Sequence, residues 1–325
     1  LLAVHDIRDN IRIQFSAWEK TVCFFPTTGD IPFDIFSAAF YLVSRYDEYL
    51  SYESDAHHRF PAESCVHFNY LEEPLVNVWV LKLKDALMVK DSKLTFKVRS
   101  FSFRSTLDID QAWKYKHKGI VRNTLGIIRD LTSLQIDLVK ERIVVLLGSR
   151  PDPFYNFEWQ KKVHETYDTP AHYFILLGDY GTYDKNTKHT LKPFRQLIQD
   201  LSHNERNIVG IHPSYQSNVS AEQVSCEMGR LSDILKTEIT HSRQHFLMHS
   251  MPQTYQTLID NGITEEHTMG FSTHIGFRAG IAAPFYWFDL SKNKATKLKL
   301  VPFCVMDITP LHYLQLCPEE AVDRI

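Results

Sequence analysis

Thr106-Leu107-Asp108-Ile109-Asp110 is the stretch from which the rest of the 325-residue chain becomes readable. Leu94-Thr95-Phe96-Lys97-Val98-Arg99 and Ser102-Phe103-Arg104-Ser105 are strand-like and run straight into it. On an extended chain, side chains two residues apart share a side, so Asp108 and Asp110 face the same way. Two carboxylates held together repel, and a divalent metal, an Arg or a raised pKa must compensate. In a metal site one Asp binds the ion, while the other takes a proton from the attacking water. Alternatively, Asp110 caps a helix beginning at Gln111-Ala112-Trp113. The spacing alone leaves both readings open.

Downstream, helical patterns alternate with short apolar strands. Ala171 to Leu177 reads as a strand, Leu191 to Leu201 as a helix, and Asn207-Ile208-Val209-Gly210-Ile211-His212 as a strand ending on a polar residue. Thr254 to Asn261 reads as a helix stopped by Gly262. Strand–helix alternation over this length predicts an α/β domain with a parallel sheet or barrel. Upstream, residues 1–30 alternate loosely as short strands. Apolar positions 35, 36, 39, 40, 42, 43 and 46 then recur at helical spacing behind Pro32. Tyr49 to Pro61 reads as a polar loop, and Pro74 to Val80 leads into a second helix. A small α+β domain over residues 1–95, followed by the α/β domain over 96–325, is the expected organisation.

Composition is ordinary for a globular chain: 44% hydrophobic and 23% charged residues. Net charge is −3 with no basic stripe, which argues against nucleic acid as a partner. Five cysteines without a CxxC predict reduced, mostly buried thiols rather than a disulfide framework or zinc ribbon. No run approaches the ~18 apolar residues of a membrane span, so a cytoplasmic location is expected. Twelve glycines without GxGxxG argue against a dinucleotide fold.

Three further segments carry candidate chemistry. His212, ending a strand before Pro213-Ser214-Tyr215-Gln216, occupies the position where α/β folds place functional groups, although a structural His is the commoner case. In Ser242-Arg243-Gln244-His245-Phe246-Leu247, Arg and His alternate on one face of a strand. Arg278, in Gly276-Phe277-Arg278-Ala279-Gly280, needs a carboxylate partner if buried, and Asp108 is a candidate. His57-His58-Arg59 reads as a solvated loop or groove wall. Asp152-Pro153 and Asp184-Lys185-Asn186 read as turns.

Together these segments resemble the NodB-type polysaccharide deacetylases of carbohydrate esterase family 4. They are closest to a bacterial subgroup with an extra N-terminal domain. Phe40 to Tyr49, Leu176-Leu177-Gly178-Asp179-Tyr180, Gly210 to Ser217, Arg243-Gln244-His245 and Thr268-Met269-Gly270-Phe271 leading to Phe277-Arg278-Ala279-Gly280 carry the likeness. It implies a distorted seven-stranded (β/α) barrel that removes N- or O-acetyl groups from an acetylated glycan with a divalent metal, zinc foremost. By position Asp108 is the general base, with Arg243 orienting it. Asp110, His212 and His245 are metal ligands, and Tyr215 and Arg278 meet the substrate. Two departures stand out. Gln216 occupies the place of the family's second His, which opens the alternative of a catalytically impaired binder. The terminal acid has only the partial match Leu311-His312, and the helix-like 319–325 leaves a further strand expected beyond the sequence.

Overall fold

The computed structural model describes residues 7–8, 11–97 and 100–325. In chain order the strands and helices are β1 (Phe15–Trp18), β2 (Thr21–Phe24), α1 (Ile35–Val43), α2 (Leu75–Lys90), β3 (Ser105–Ile109), α3 (Gly119–Thr132), α4 (Ile136–Leu146) and α5 (Phe157–Thr166). They continue with β4 (Ala171–Ile175), α6 (Lys192–Ser202), β5 (Ile208–Ile211), α7 (Ala221–Leu235), β6 (His241–Ser242), α8 (Gln253–Asp260), β7 (Glu265–Glu266), β8 (Phe285–Asp289), β9 (Lys294–Leu300) and α9 (Pro318–Arg324). The chain forms two compact units. One is Ser102–Ile239; the other combines Leu1–Phe101 with Thr240–Ile325.

In the Ser102–Ile239 unit, β3 pairs parallel with β4, and β4 with β5. All five residues of β4 are buried, as expected of a strand covered on both faces. Asp108 lies opposite Phe174, and Ile109 opposite Ile175, which in turn faces Ile211. Asp110 and His212 are therefore the first residues beyond the carboxyl ends of β3 and β5. The backbone N–H of His212 donates to Ile175 O at 2.9 Å, which fixes that end. Helix α6 buries Phe194, Leu197, Ile198 and Leu201, an i, i+3, i+4, i+7 stripe, and Pro193 suits its first turn.

In the other unit, β1 and β2 form an antiparallel hairpin. The N-cap of α1 is Asp34, whose carboxylate accepts the Ser37 N–H at 3.0 Å; Pro32 lies before it. Trp79 of α2 is fully buried against Phe24 and Phe33, and its indole N–H donates to Val22 O at 2.9 Å. In the same unit β6 pairs parallel with β7, β7 parallel with β9, and β8 antiparallel with β9. Gly262, at φ 88, ends α8.

The architecture is thus mixed α/β, with β3 to β9 mainly parallel. Several local readings shift. Regular extended structure begins at Phe15 and at Ser105. Leu94 to Lys97 is irregular, and Val98 and Arg99 lie outside the described residues. All five cysteines are free, but Cys226 and Cys317 are exposed rather than buried. Among the described residues no helix is long and apolar enough to cross a membrane.

Candidate active site

No helix follows Asp110: residues 111–118 are turns and bends, and α3 starts at Gly119. The capping alternative for the Asp108/Asp110 pair therefore drops out. The two carboxylates sit at the carboxyl edge of β3, with side chains 22% and 43% exposed, beside a His212 side chain that is 3% exposed.

Distances show what this arrangement can do. His212 Nε2 lies 3.6 Å from Asp110 Oδ1 and 4.0 Å from Asp108 Oδ2. Both exceed a hydrogen bond, which for N–H···O centres near about 2.9 Å. A tetrahedral zinc with ligand bonds of about 2.1 Å spaces its ligand atoms about 3.4 Å apart. The Asp110–His212 separation is close to that spacing, and Asp108 stands farther off. The donor set of carboxylate and imidazole also suits a divalent cation of borderline softness. These residues fit the metal that the sequence implied.

Two turns hold the site. The Asp152 carboxylate, 3% exposed, accepts the N–H groups of Lys114 at 2.7 Å, Tyr115 at 2.9 Å, Lys116 at 2.9 Å and Phe154 at 3.1 Å. It thereby shapes the loop leaving Asp110, and four donated hydrogen bonds hold its carboxyl below the usual range despite burial. Asp184, 2% exposed, accepts from Tyr215 N at 2.8 Å and Gln216 N at 3.3 Å. Ser214 donates through N at 2.8 Å and Oγ at 2.5 Å to Glu227 of α7, whose carboxyl burial pushes up. A Cβ on Gly178 would lie 2.5 Å from Ser214 Cβ, so only glycine lets the two loops meet. Both Asp152 and Asp184 read as ordinary turn residues in the sequence; apart from Phe154, their partners lie more than 30 residues away and leave no local signal.

Tyr215 stacks on Tyr183 with ring centroids 4.3 Å apart, and the Tyr183 ring is exposed. This pair forms an aromatic face three residues beyond His212 in the chain. Gln216 is exposed and opens a short 3₁₀ turn, Gln216–Val219.

The remaining expected residues belong to the other unit. Strand β6 ends at Ser242, so Arg243 and His245 are not strand residues alternating on one face. Arg243, 5% exposed, donates from Nε to His267 O at 3.0 Å and lies over Phe303, 5.0 Å from the ring centre. His245, 6% exposed, begins a 3₁₀ turn in which Phe246 adopts φ 58, a left-handed conformation costing a non-glycine residue about 1 kcal/mol or more. Arg278 finds its carboxylate in Glu48 rather than Asp108. Nε and Nη2 donate to the two Glu48 oxygens at 2.9 and 2.8 Å, and Nη1 donates to Gly270 O at 3.2 Å. At 2% exposure it braces the interior of its own unit instead of facing a glycan. Arg59 is likewise no solvated loop residue, since it binds Asp55 at 2.7 Å and Phe246 O at 2.8 Å.

Residues 1–92 match a family of unknown function, DUF7033. No curated protein matches. Among solved structures, the chain is similar to a Mycobacterium smegmatis protein described as a polysaccharide deacetylase. The identity is 10% and the TM-score 0.37, over 66% of this chain and 62% of that one. It is also similar to a polysaccharide deacetylase from Bacillus cereus, with 16% identity and a TM-score of 0.26 over 47% and 73% of the two chains. The chain thus spans 62% of the Mycobacterium structure's length.

Proposed function

We propose that the protein is a metal-dependent hydrolase that removes N- or O-acetyl groups from a bacterial polysaccharide or peptidoglycan. The observation that carries this reading is the 3.6 Å separation of His212 Nε2 and Asp110 Oδ1 beyond the ends of β5 and β3, which flank β4, with Asp108 beside them. Asp110 and His212 hold a divalent ion, zinc foremost, and His245 is the third ligand proposed on sequence grounds. Such an ion supplies Lewis acidity toward the acetyl carbonyl. Asp108 takes the proton of the attacking water, Arg243 orients Asp108, and the Tyr215 ring packs on the sugar. Water oxygen adds to the acetyl carbon, the C–N or C–O bond breaks, and the proton taken by Asp108 passes to the leaving nitrogen or oxygen, so that amine or hydroxyl and acetate are released. Acetate release from acetylated glucosamine oligomers tests the reading. Turnover should vanish with a chelator and return with zinc; metal-independent turnover would overturn it.

Gln216 favours a second reading. A Gln side chain is a poor zinc ligand where the resembled family has its second His, so a non-catalytic glycan- or partner-binding protein is the alternative. Zinc-loaded protein that binds acetylated oligomers without releasing acetate would select it.

A further inference from the structure

One residue beyond Asp110, at Gln111, begins a cavity of about 520 Å³ that the following loop, α3 and α4 enclose. Its wall carries Lys114, Lys118, Arg122, Arg129, Arg142 and Lys185 against a single carboxylate, Asp130. Six positive charges less one negative leave an excess of five, in a chain whose net charge is −3. Concentrating one sign in a concave site costs folding energy through self-repulsion and focuses the field on a ligand of the opposite sign.

Internal pairing accounts for only part of the charge. Asp130 accepts from Arg142 at 2.6 Å and from Arg129 at 2.8 Å, and Lys114 binds Glu141 at 2.6 Å. Lys118, Arg122 and Lys185 have no carboxylate within ion-pair distance among the described residues; Lys118 donates to Gln111 Oε1 instead. Arg122 and Lys185 both lie against the Tyr180 ring, 3.9 and 4.7 Å from its centre. Burial, with Arg122 next, presses the Lys118 ammonium down to about 8.

The floor of the cavity is built for this arrangement. Arg142, 6% exposed, lies across α3 at Gly126, where a Cβ would come 2.5 Å from its Nη1. It also packs on Tyr115 at 4.6 Å and donates to Asn123 Oδ1 at 3.2 Å. A glycine inside a helix costs about 1 kcal/mol relative to alanine, and here it makes room for the guanidinium.

We propose that this cavity binds an anionic saccharide, a sugar bearing a phosphate or carboxylate group. Guanidinium forks pair with the oxygens of either group. The exposed ring of Phe154 in the same wall supplies a face for a sugar ring. The volume suits one or two sugar units. The assignment rests on the cavity itself. If the deacetylase reading also holds, it names the substrate class as an acidic glycan.

Titration calorimetry on the full chain tests the proposal without turnover, so either proposal can fail alone. The probes are glucose 6-phosphate, glucuronic acid, neutral glucose and inorganic pyrophosphate. At least one of the two acidic sugars should bind, and glucose should not; which acid binds identifies phosphate or carboxylate as the group read. Arg122→Gln combined with Lys185→Gln should weaken that binding at least about tenfold, since two charge-assisted contacts are lost. The melting temperature should stay in place, because neither side chain has a buried ionic partner. Equal affinity for glucose and its 6-phosphate, absence of binding by both acids in the millimolar range, or wild-type affinity in the double variant would overturn the site. Pyrophosphate binding as tightly as the better acidic sugar would overturn its saccharide assignment.

Discussion

Two acid clusters in this molecule use carboxylates in opposite ways. Glu48, with its side chain 2% exposed, is held by Arg278 through two hydrogen bonds and by Arg45 Nε at 2.7 Å. Burial pushes its carboxyl up, but the two guanidinium groups hold it well below the usual range. Asp108 and Asp110 are partly exposed, and His212 stands 4.0 and 3.6 Å from them, beyond hydrogen-bond length. The first cluster is closed by direct contacts and has no room for an inserted atom. The second is spaced for one. Contact length and exposure, rather than residue type, distinguish the two clusters.

The largest effect should come from breaking the closed cluster. Glu48→Gln leaves two buried guanidinium groups facing a neutral amide and should cost about 3–5 kcal/mol, read from the urea midpoint. Asp110→Asn should stay within about 1 kcal/mol of wild type by the same measurement. Equal losses would erase the contrast.

The pH dependence of stability comes next. His67 is fully buried, with Nε2 3.1 Å from Phe277 O, and burial together with nearby Arg45 lowers its imidazole to about 4. The folded protein keeps it neutral while the unfolded chain takes up a proton below about 6.5. Its contribution is therefore complete above pH about 6.5 and is lost as pH falls toward about 4, up to about 3 kcal/mol over that window. His67→Gln should flatten this part of the stability–pH curve, and an unchanged slope would show that His67 does not cause it.

Removing an anchor of the open cluster should do less. Asp184→Ala deprives the Tyr215 and Gln216 N–H groups of their acceptor and should cost about 1–3 kcal/mol in thermal or urea unfolding. Metal affinity should fall with it, because the His212 loop loosens; unchanged affinity would make the anchor purely structural. Asp108→Asn should have the smallest effect on stability, within about 0.5 kcal/mol, while acetate release falls by about 10²–10⁴.

The open cluster was far more legible than the closed one. His212 ends a short apolar run and Asp110 closes a strand-like one, which marks both as strand-end positions, although spacing alone left a helix cap open at Asp110. Glu48 lies in a helical-looking stretch, and its partner Arg278 is 230 residues away, a distance no periodicity spans. Asp108, offered as a candidate partner of Arg278, is therefore not the one it meets. Asp152 and Asp184 read only as turns for the same reason, since turn chemistry explains an Asp before Pro or Lys without a distant loop to hold. The helix-cap alternative at Asp110 fell only when residues 111–118 proved irregular.

Metal content of the purified full chain, measured after dialysis against trace zinc, tests the central claim most directly. The account predicts one tightly held divalent ion per chain, lost in both Asp110→Ala and His212→Ala while their far-UV spectra stay folded and their melting temperatures fall toward that of the metal-free wild type. Protein that holds no ion at saturating zinc, or variants that retain it, would contradict the account.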